Sequence, residues 1–389
     1  MTEPTRDAAP PADLAGVGGA PPDAPGIGAG VGQAQPEPAS RSLVRLVVGL
    51  ALAFALGAAV SLIHVPYAIL GPGPATDVLG QERGSDGAMV DRIVISDAPT
   101  FRTSGSLDFT TVRVRGGPGY AVNIVDVLVA WLARDEDVYP VDELFPPQVT
   151  REQVAEENRV EMAGSQQVAA AVAVRATGRQ VPEVIKITGV LDKAPSAGEL
   201  KAGDVLVSIA GGAVTDGGAL RAAIQRVPAG EAVEMVVQRD GTEVTVHPRT
   251  GRADDGRTIL GIMLAVEYRM PFTVKVDAGN VGGPSAGLMF ALGIYDKLTA
   301  GAMTGGVTIA GTGTIDDAGT VGPIGGIAQK MVGAREAGAT FFLAPAANCP
   351  DVLGREPAGM TVVKIGSFAE ATAAVTAIGR SQAAALPHC

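Results

Sequence analysis

The chain has 389 residues, of which 47% are hydrophobic, and a formal net charge of −11 at pH 7. This length accommodates two or three domains with their own cores, and the acidic balance argues against nucleic-acid binding, which needs basic patches. The two cysteines, Cys349 and Cys389, lack the spacing of metal ligands, so they either pair as a disulfide or remain separate thiols. We predict no metal site and no cofactor.

The N-terminal region predicts a membrane anchor that follows a disordered tail. Residues 1–40 are rich in Pro, Ala and Gly and have few aliphatic side chains, a composition that cannot build a core. The next segment, residues 43–64, contains an uncharged apolar run that approaches the roughly 20 residues needed to span a bilayer. Arg41 and Arg45 lie at its N-terminal side, so the positive-inside rule places the tail in the cytoplasm and everything after His64 outside. The alternative is a cleavable signal peptide, but the apolar part of such peptides is shorter, about 7 to 15 residues.

The sequence of residues 65–175 predicts a mixed α/β region and contains no motif that suggests catalysis. Alternating and helical patterns place strands and helices, in chain order, at Asp91–Ser96, Leu107–Val114, Tyr120–Arg134 and Arg151–Arg175. Thr150 and Gln153 have the spacing of a capping box at the start of the last helix. The sequence Leu70-Gly71-Pro72-Gly73-Pro74 predicts a stiff connection that leaves the membrane.

Residues 176–250 have the pattern of a small domain. A strand is predicted at Val184–Val190, followed by a helix with an apolar face formed by Leu220, Ala223, Ile224 and Val227. Two further strands, Glu231–Arg239 and Thr242–His247, flank Asp240-Gly241, which is a strong hairpin signal.

The run from Ala194 to Gly212 resembles a PDZ domain, because it has that family's Pro-x-Ala, Gly-x-Leu, Gly-Asp and Ile-x-Gly landmarks in order. The resemblance implies that an extended peptide adds as a strand to an edge of the sheet. It also implies that the loop before the peptide-binding strand lies near Thr177, Gly178 and Arg179. The alternative is a domain that only packs against its neighbour and binds no free peptide.

A glycine-rich turn presents Ser285 between a predicted strand and a predicted helix. Phe272–Asp277 alternates with the period of a half-buried strand, and Leu288–Ile294 has the apolar character of a buried helix. Ser285 is expected in the first turn of that helix, where free backbone N–H groups and the helix dipole stabilise an oxyanion. The other residues assigned to this turn and to oxyanion binding are Gly283, Pro284 and Ala286. The arrangement favours acyl transfer.

A serine nucleophile needs a base, and Lys330 is the candidate. The three histidines do not lie in a motif suited to a Ser-His-Asp triad; they are His64, His247 and His388. If a helix begins after Gly326, Lys330 shares an apolar face with Ile327 and Ala334, and burial there lowers the pKa of a lysine. The alternative is an ordinary solvated lysine on a helix.

These residues resemble the proteolytic domain of Lon proteases, which are Ser-Lys dyad peptidases. The resemblance covers roughly the last third of the chain, and its motifs, in the family's order, are Gly283-Pro284-Ser285-Ala286-Gly287, Ala302-Met303-Thr304-Gly305, Pro323-Ile324-Gly325-Gly326, Lys330, and Phe341-Phe342-Leu343-Ala344-Pro345 with Asn348. It implies that Ser285 is the nucleophile, Lys330 the general base and Thr304 a residue that orients the lysine. Membrane-anchored bacterial Lon-like proteases with a PDZ domain share this order of parts, and Lon proteolytic domains form rings, which implies a homo-oligomer.

The sequence departs from the Lon pattern in two places. Many Lon domains carry an acidic residue three positions before the serine, where this chain has Gly282. The segment at residues 311–320 is longer than the corresponding Lon connection. It contains Asp316 and Asp317, which we interpret as part of a turn; the alternative is a metal or acid pair.

The sequence therefore predicts an α+β protein with a single N-terminal transmembrane helix, a mixed α/β region, a PDZ-like domain and a Lon-type proteolytic domain at residues 255–380. No Gly-x-x-x-x-Gly-Lys-Ser/Thr loop occurs, so proteolysis is predicted to be independent of ATP. The predicted function is hydrolysis of peptide bonds in extracytoplasmic or membrane-associated proteins at the bacterial cell membrane, with the PDZ domain recruiting or gating substrate. The alternatives are an inactive PDZ/Lon-like scaffold that binds a partner protein, and a glycine-rich nucleotide-binding protein, which the absent phosphate-binding lysine disfavours.

Overall fold

The computed structural model describes residues 39–83 and 87–389. Its first helix, α1 (Ala39–Ser61), contains the one segment among these residues that is long and apolar enough to cross a membrane, Leu43–Ser61. This segment fits the single transmembrane helix predicted from the sequence; the criteria are length and composition, which a signal sequence also meets. The predicted disordered tail lies almost entirely outside the described residues.

Residues 59–389 form one compact unit. The elements of its N-terminal part are, in chain order, β1 (His64–Val65), β2 (Tyr67–Asp77), β3 (Gln81–Arg83), β4 (Met89–Asp91), β5 (Ile93–Ser96), β6 (Ser106–Arg115), β7 (Val122–Asn123), α2 (Ile124–Leu132), β8 (Asp137–Pro140), α3 (Val141–Leu144) and α4 (Arg151–Ala176). The elements of its middle part are β9 (Glu183–Val190), β10 (Val205–Ile209), β11 (Gly212–Ala213), α5 (Gly217–Gln225), β12 (Met235–Arg239) and β13 (Thr242–Val246).

The C-terminal part begins with short strands and ends with a helix. Its elements are β14 (Gly251–Arg252), β15 (Thr258–Ile259), β16 (Ile262–Tyr268), β17 (Thr273–Val276), α6 (Gly287–Leu298), β18 (Thr308–Gly311), β19 (Thr314–Ile315), β20 (Val321–Gly322), α7 (Ile327–Glu336), β21 (Phe341–Pro345), α8 (Cys349–Val352), β22 (Thr361–Ile365) and α9 (Phe368–Gly379).

A six-stranded sheet in the order β22-β21-β18-β6-β2-β8 draws strands from both the N-terminal and the C-terminal parts. β22, β21, β18 and β6 run parallel, whereas β2 and β8 are antiparallel to their neighbours. Residues 65–175, predicted as a separate region, therefore belong to the same folded body as the C-terminal part. The interpretation of residues 70–74 as a membrane exit is wrong, because they lie inside β2, where Leu70 pairs with Val114 of β6.

Helices cover both faces of this sheet. On one face, Leu107 and Phe109 of β6 pack into a core with buried residues of α4, α6 and α9, and the rings of Phe109 and Phe290 have centroids 5.4 Å apart. On the other face, α7 packs with Ala310 and Phe342 in a separate cluster. Alternation along β18 and β21 therefore sends neighbouring residues to opposite helical layers.

A second sheet, in the order β13-β12-β10-β9-β16, combines strands of the middle part with β16 of the C-terminal part and has its own core around Ile187, Leu220 and Met235. Its pairings are antiparallel. The predicted hairpin is confirmed, with Asp240 and Gly241 at positive φ values of 49° and 83° between β12 and β13. Strand β16, which the sequence pattern did not include, forms one edge of this sheet.

The helices next to the sheet largely follow the sequence prediction. The capping box of α4 is present, since the Gln153 N–H donates to Thr150 Oγ1 at 3.2 Å and the Thr150 N–H donates to Gln153 Oε1 at 2.8 Å. Helix α2 is shorter than predicted, because Asn123 caps it at Ile124. The structure joins Cys349 to Cys389 as a disulfide, with their Cα atoms 5.0 Å apart.

Candidate active site

Ser285 is half-buried and immediately precedes Ala286, the N-cap of α6. The expected strand and helix on its two sides are present as β17 and α6. The serine lies just before the helix rather than within its first turn. The backbone turns at Gly283, whose φ of 84° favours glycine.

Hydrogen bonds from two directions fix this turn. From α4, Ser165 Oγ donates to the carbonyl of Pro284 at 3.0 Å, and the Gly283 N–H donates to the Asn158 carbonyl at 3.0 Å. From the loop after β18, the Gly313 N–H and Thr312 Oγ1 donate to the Ser285 carbonyl at 2.8 and 3.0 Å. The position of the serine thus depends on α4, which belongs to the region where the sequence predicted no chemistry.

The glycine at position 282 has a steric reason. A Cβ atom there would lie 2.6 Å from the Cβ of Asn158 on α4. Real Cβ atoms do not approach so closely, so this chain has no room for the acidic side chain that many Lon domains carry at the position.

Lys330 lies in the first turns of α7 and is 3% exposed. Its Nζ donates to Ser285 Oγ at 2.8 Å and to Thr312 Oγ1 at 3.0 Å. Burial lowers the pKa of the Lys330 ammonium to about 8. The structure therefore brings the two residues singled out by the sequence into direct contact, with the lysine in the buried setting expected for it.

The start of α7 is held by Asn348. Its Oδ1 accepts from the Ile324 N–H at 2.9 Å, and its Nδ2 donates to the Ile324 carbonyl at 2.9 Å. Gly326 then begins the helix with a φ of 66°, in the left-handed region. These contacts set the direction in which the helix presents Lys330 to Ser285.

Thr304 does not contact Lys330, so its predicted part in orienting the lysine is corrected here. It is fully buried between α6 and β18, where its Oγ1 donates to the carbonyl of Ser104. The threonine beside the lysine is Thr312, which bonds both Lys330 Nζ and the Ser285 carbonyl. In the sequence, Thr312 could have been recognised as a hydroxyl residue between two glycines, Gly311 and Gly313, at the end of a buried strand.

The predicted oxyanion residues differ in what they can donate. Pro284 has no N–H, and the N–H of Gly283 is already bonded to Asn158. Within the described residues, no hydrogen bond occupies the N–H of Ser285 or of Ala286. Ala286 therefore remains the candidate donor of the predicted set, together with the N–H of Ser285 itself.

The dyad opens into a cleft of about 670 Å³. Helix α4 lines it with Glu157, Asn158 and Glu161, and β6 with Val112 and Val114. Most of one wall therefore comes from residues 65–175, which carry no motif that marks them as part of a site.

Two more cavities continue this cleft along α4. The first, of about 580 Å³, shares Asn158 and residues 280–282 with it. The next, of about 640 Å³, shares Ala163 and Gln166 with the first and reaches Tyr268 at the end of β16. We call this series of cavities the α4 groove.

Asp316 and Asp317 lie in a turn, as predicted. The Thr320 N–H donates to Asp316 Oδ1 at 2.7 Å, and Tyr268 Oη and Arg175 contact the carboxylate of Asp317. In residues 39–83 and 87–389, no group of three or more His, Cys, Asp or Glu side chains is placed to hold a metal.

The predicted peptide-binding loop does not lie at a sheet edge. Thr177 caps the end of α4, and Arg179 donates to Thr177 Oγ1 at 2.8 Å while it stacks on Phe272. Strand β9, which follows, is paired on both sides, with β10 and with β16. The prediction for Thr177, Gly178 and Arg179 is therefore wrong, because β9 has no free edge.

Strand β16 forms one edge of the second sheet. No other described strand pairs with its outer side. The side chain of Gln225 on α5 fixes Thr258, in the segment before this strand. Its Nε2 donates to the Thr258 carbonyl at 2.7 Å, and its Oε1 accepts from the Thr258 N–H at 3.2 Å. Gly261, with a φ of 69°, then leads into β16.

Comparison with known proteins finds two families. Residues 267–360 match the Lon protease (S16) C-terminal proteolytic domain, and residues 159–248 match the PDZ domain. Both matches agree with the fold class predicted from the sequence.

Curated relatives match over a short segment. "Lon protease 1" of Sorangium cellulosum is 42% identical over 119 residues, which is 30% of this chain and 14% of the relative. "Lon protease 1" of Bacillus subtilis is 41% identical over 95 residues, which is 24% of this chain and 12% of the relative. The chain thus matches a small fraction of the length of each relative.

Solved structures match 21% of this chain. The PDZ domain of an SdrC-like protein from Listeria monocytogenes is 22% identical, with a TM-score of 0.20, and the match covers 21% of this chain and 86% of that chain. The corresponding domain from Listeria innocua is 20% identical, with the same TM-score, and the match covers 21% and 92% of the two chains.

Proposed function

We propose, from the Lon-type proteolytic domain and the PDZ domain that this chain contains, that it is an ATP-independent serine endopeptidase with a Ser285–Lys330 dyad. The observation that carries the proposal is the 2.8 Å contact between Lys330 Nζ and Ser285 Oγ in a buried site beside an open cleft. A peptidase nucleophile needs a base within hydrogen-bond reach, and a buried lysine with a lowered pKa meets that need.

In the acylation step, the neutral amine of Lys330 accepts the proton of Ser285 as its Oγ attacks the carbonyl carbon of the substrate. The N–H groups of Ser285 and Ala286 stabilise the developing oxyanion. The Lys330 ammonium then donates its proton to the leaving amine, the C–N bond breaks, and an ester remains on Ser285.

In the deacylation step, Lys330 removes a proton from a water molecule that attacks the ester. The acid product leaves, the ammonium returns its proton to Ser285, and the dyad is restored. Thr312 accepts from the ammonium in both steps, which keeps Nζ directed at Oγ.

We place the chain in the bacterial cell membrane through α1, with residues after His64 on the extracytoplasmic side. Supporting this are the length and composition of Leu43–Ser61 and the arginines at its N-terminal end, Arg41 and Arg45. The substrates are then unfolded or flexible regions of extracytoplasmic or membrane-associated proteins.

We assign substrate recruitment by the PDZ domain to the outer edge of β16 beside α5. An extended peptide added there would lie at the far end of the α4 groove, which leads to Ser285. The groove is about 24 Å long, because α4 lines it from Val154 to Ala170 and a helix rises about 1.5 Å per residue. About seven residues of extended chain span that distance.

Part of the groove wall suits a peptide backbone. Its carboxamide side chains, which both donate and accept, are Asn158, Gln166, Gln167 and Asn280. No hydrogen bond joins these amide groups to another described residue, so they are available to a bound chain.

The test is degradation of a permanently unfolded protein, reduced and carboxymethylated, by the full chain in detergent without ATP. The wild type is compared with Ser285→Ala and Lys330→Met. We expect cleavage by the wild type alone. Equal cleavage by Ser285→Ala would reject the dyad, and no cleavage by the wild type would favour a scaffold that binds a partner protein.

A further inference from the structure

The outer face of α2 is strongly apolar although the helix lies at the surface. Its inner side packs Val127 and Ala130 against a small cluster with Ile69. Its outer side exposes five large apolar residues, which we call the α2 patch: Val125 (38%), Leu128 (51%), Val129 (61%), Trp131 (77%) and Leu132 (82%).

The patch follows helical spacing. Residues 125, 128, 129 and 132 have the i, i+3, i+4 and i+7 separations of one helix face, and Trp131 lies three positions after Leu128. The helix is nine residues long, and its carboxylate, Asp126, is used in the N-terminal capping box. A contiguous exposed apolar face of this kind marks an interaction surface.

The start of α2 is attached to the residues that follow α1. The Ile124 N–H donates to the Ile63 carbonyl at 3.0 Å, and Asn123 and Val122 pair with His64 and Val65. Since α1 ends at Ser61 and an extended residue spans at most about 3.6 Å, the first residue of α2 lies within about 10 Å of the end of α1.

That distance decides which surface the patch can meet. The hydrocarbon core of a bilayer is about 30 Å thick and the bilayer with its headgroups about 40 to 45 Å, which leaves roughly 5 to 7 Å of headgroup layer on each side. A helix attached this close to the end of a membrane span starts at the headgroup layer. Leu62 and Ile63, which follow α1 directly, are themselves 74% and 51% exposed.

We propose that α2 is a membrane-contacting helix, whose patch inserts into the lipid headgroup and acyl-chain boundary. Tryptophan prefers this boundary, and helices with one apolar face bind along it. The inference rests on the membrane anchoring proposed above and is independent of catalysis. Contact at both α1 and α2 would fix the height and tilt of the proteolytic body over the bilayer, because α2 packs against β2 of its main sheet.

Trp131 is the single tryptophan of the chain, so its fluorescence reports on α2 alone. The full chain is reconstituted into vesicles of phosphatidylcholine and phosphatidylglycerol, with or without bromine atoms on the acyl chains near the headgroups. Bromine quenches tryptophan only at close range. We expect loss of most of the Trp131 emission in the brominated vesicles and a blue-shifted emission in the unbrominated ones.

The variant Leu128→Asp/Leu132→Asp puts two charges into the patch and is expected to restore emission in brominated vesicles. Leu353→Asp, at another exposed leucine (61%), is the matched control and should leave the quenching unchanged. The midpoint of thermal unfolding shows whether the double variant is folded.

Each other outcome overturns the proposal. Blue-shifted emission without bromine quenching means that protein, such as a second copy of the chain, covers the patch. Emission typical of water that iodide quenches means that nothing covers it. A chain that does not float with vesicles removes the anchoring on which the inference rests, while the peptidase assay in detergent still tests the dyad.

Discussion

Lys330 Nζ lies 2.8 Å from Ser285 Oγ, and burial alone accounts for the lowered pKa of the lysine. Among the described residues no charged partner stabilises the ammonium, and a pKa of about 8 leaves roughly a tenth of this lysine as the neutral amine at pH 7. The dyad can act as nucleophile and base without a histidine or a carboxylate.

Activity should rise with pH through the pKa of Lys330. Only the neutral amine accepts the serine proton, so kcat/KM should increase about tenfold per pH unit well below pH 8 and level off above it. The measurement is kcat/KM for a short peptide between about pH 6 and pH 10, with viscosity used to confirm that chemistry limits the rate. A flat profile across the lower half of this range would exclude a lysine base.

Lys330→Met should be inactive but more stable at pH 7. The pKa of Lys330 in the folded protein, about 8, lies below its ordinary value of 10.5. The charged lysine therefore lowers the free energy of unfolding, and this destabilisation is fully present below pH 8. This shift corresponds to roughly 3 kcal/mol, and loss of two hydrogen bonds offsets about 1, which leaves a gain on the order of 2 kcal/mol. The gain should shrink as the pH is raised toward 10.

Unfolding free energies at pH 7 and near pH 10 measure this difference. Lys297→Met is the matched control, because Lys297 is also largely buried but bonds the Asp91 carboxylate at 2.8 Å. That variant should lose stability. A destabilised Lys330→Met would show that the lysine is bound as a favourable ammonium.

Thr312→Val should impair catalysis, whereas Thr304→Val should impair only stability. Without Thr312 Oγ1, Nζ loses an acceptor that favours its charged form and helps direct it, so kcat should fall about 10- to 100-fold and the pH midpoint should move down. Thr304→Val removes the hydrogen bond from the buried Thr304 hydroxyl to the Ser104 carbonyl, which costs about 0.5 to 1.5 kcal/mol.

The pH profile of kcat and the unfolding midpoint of both variants separate these effects. If the pH midpoint of kcat were unchanged in Thr312→Val and shifted in Thr304→Val, Thr304 would be the residue that supports the lysine, as the sequence suggested.

Gly282→Ala should reduce activity by at least about tenfold, because its Cβ would push the serine turn away from α4. The second change Asn158→Gly removes the opposing Cβ and should restore part of the activity, at a cost of about 1 kcal/mol for a helical glycine. Gly164→Ala, on the same helix and with open space around it, is the control and should keep full activity. Equal activity of Gly282→Ala and wild type would show that the turn is free to move.

Ala163→Trp should block the α4 groove at the point shared by its two outer cavities. We expect kcat/KM for a long unfolded substrate to fall by about tenfold or more, while a short peptide that fills only the cleft at Ser285 is cleaved as before. Ala369→Trp, at an exposed alanine of α9, is the control and should cleave both substrates normally.

A second measurement on the groove does not need catalysis. In a Ser285→Ala background, Ala163→Cys is labelled with maleimide in the presence and absence of the carboxymethylated protein. Protection of this thiol, but not of one at Ala369→Cys, is the expected result. Equal labelling rates would show that substrate does not follow the groove.

The sequence by itself determined the local features of this protein. The apolar periodicity of α4, α6 and α7, the capping box at Thr150 and the turn at Asp240-Gly241 depend on neighbouring residues, so they can be predicted from the chain alone. The same holds for Ser285 on its turn and for Lys330 on the apolar side of a helix, which the structure places in contact.

Only the tertiary structure decided which residues meet across the chain. Thr312 rather than Thr304 reaches Lys330, because the residue that follows β18 contacts α7 while the Thr304 hydroxyl bonds the Ser104 carbonyl. In the same way, β6 and α4 supply a wall of the cleft, and β16 rather than a strand after Thr177 ends the PDZ sheet. These contacts depend on strand order and on the register between distant segments, which hydrophobic period and turn chemistry do not encode.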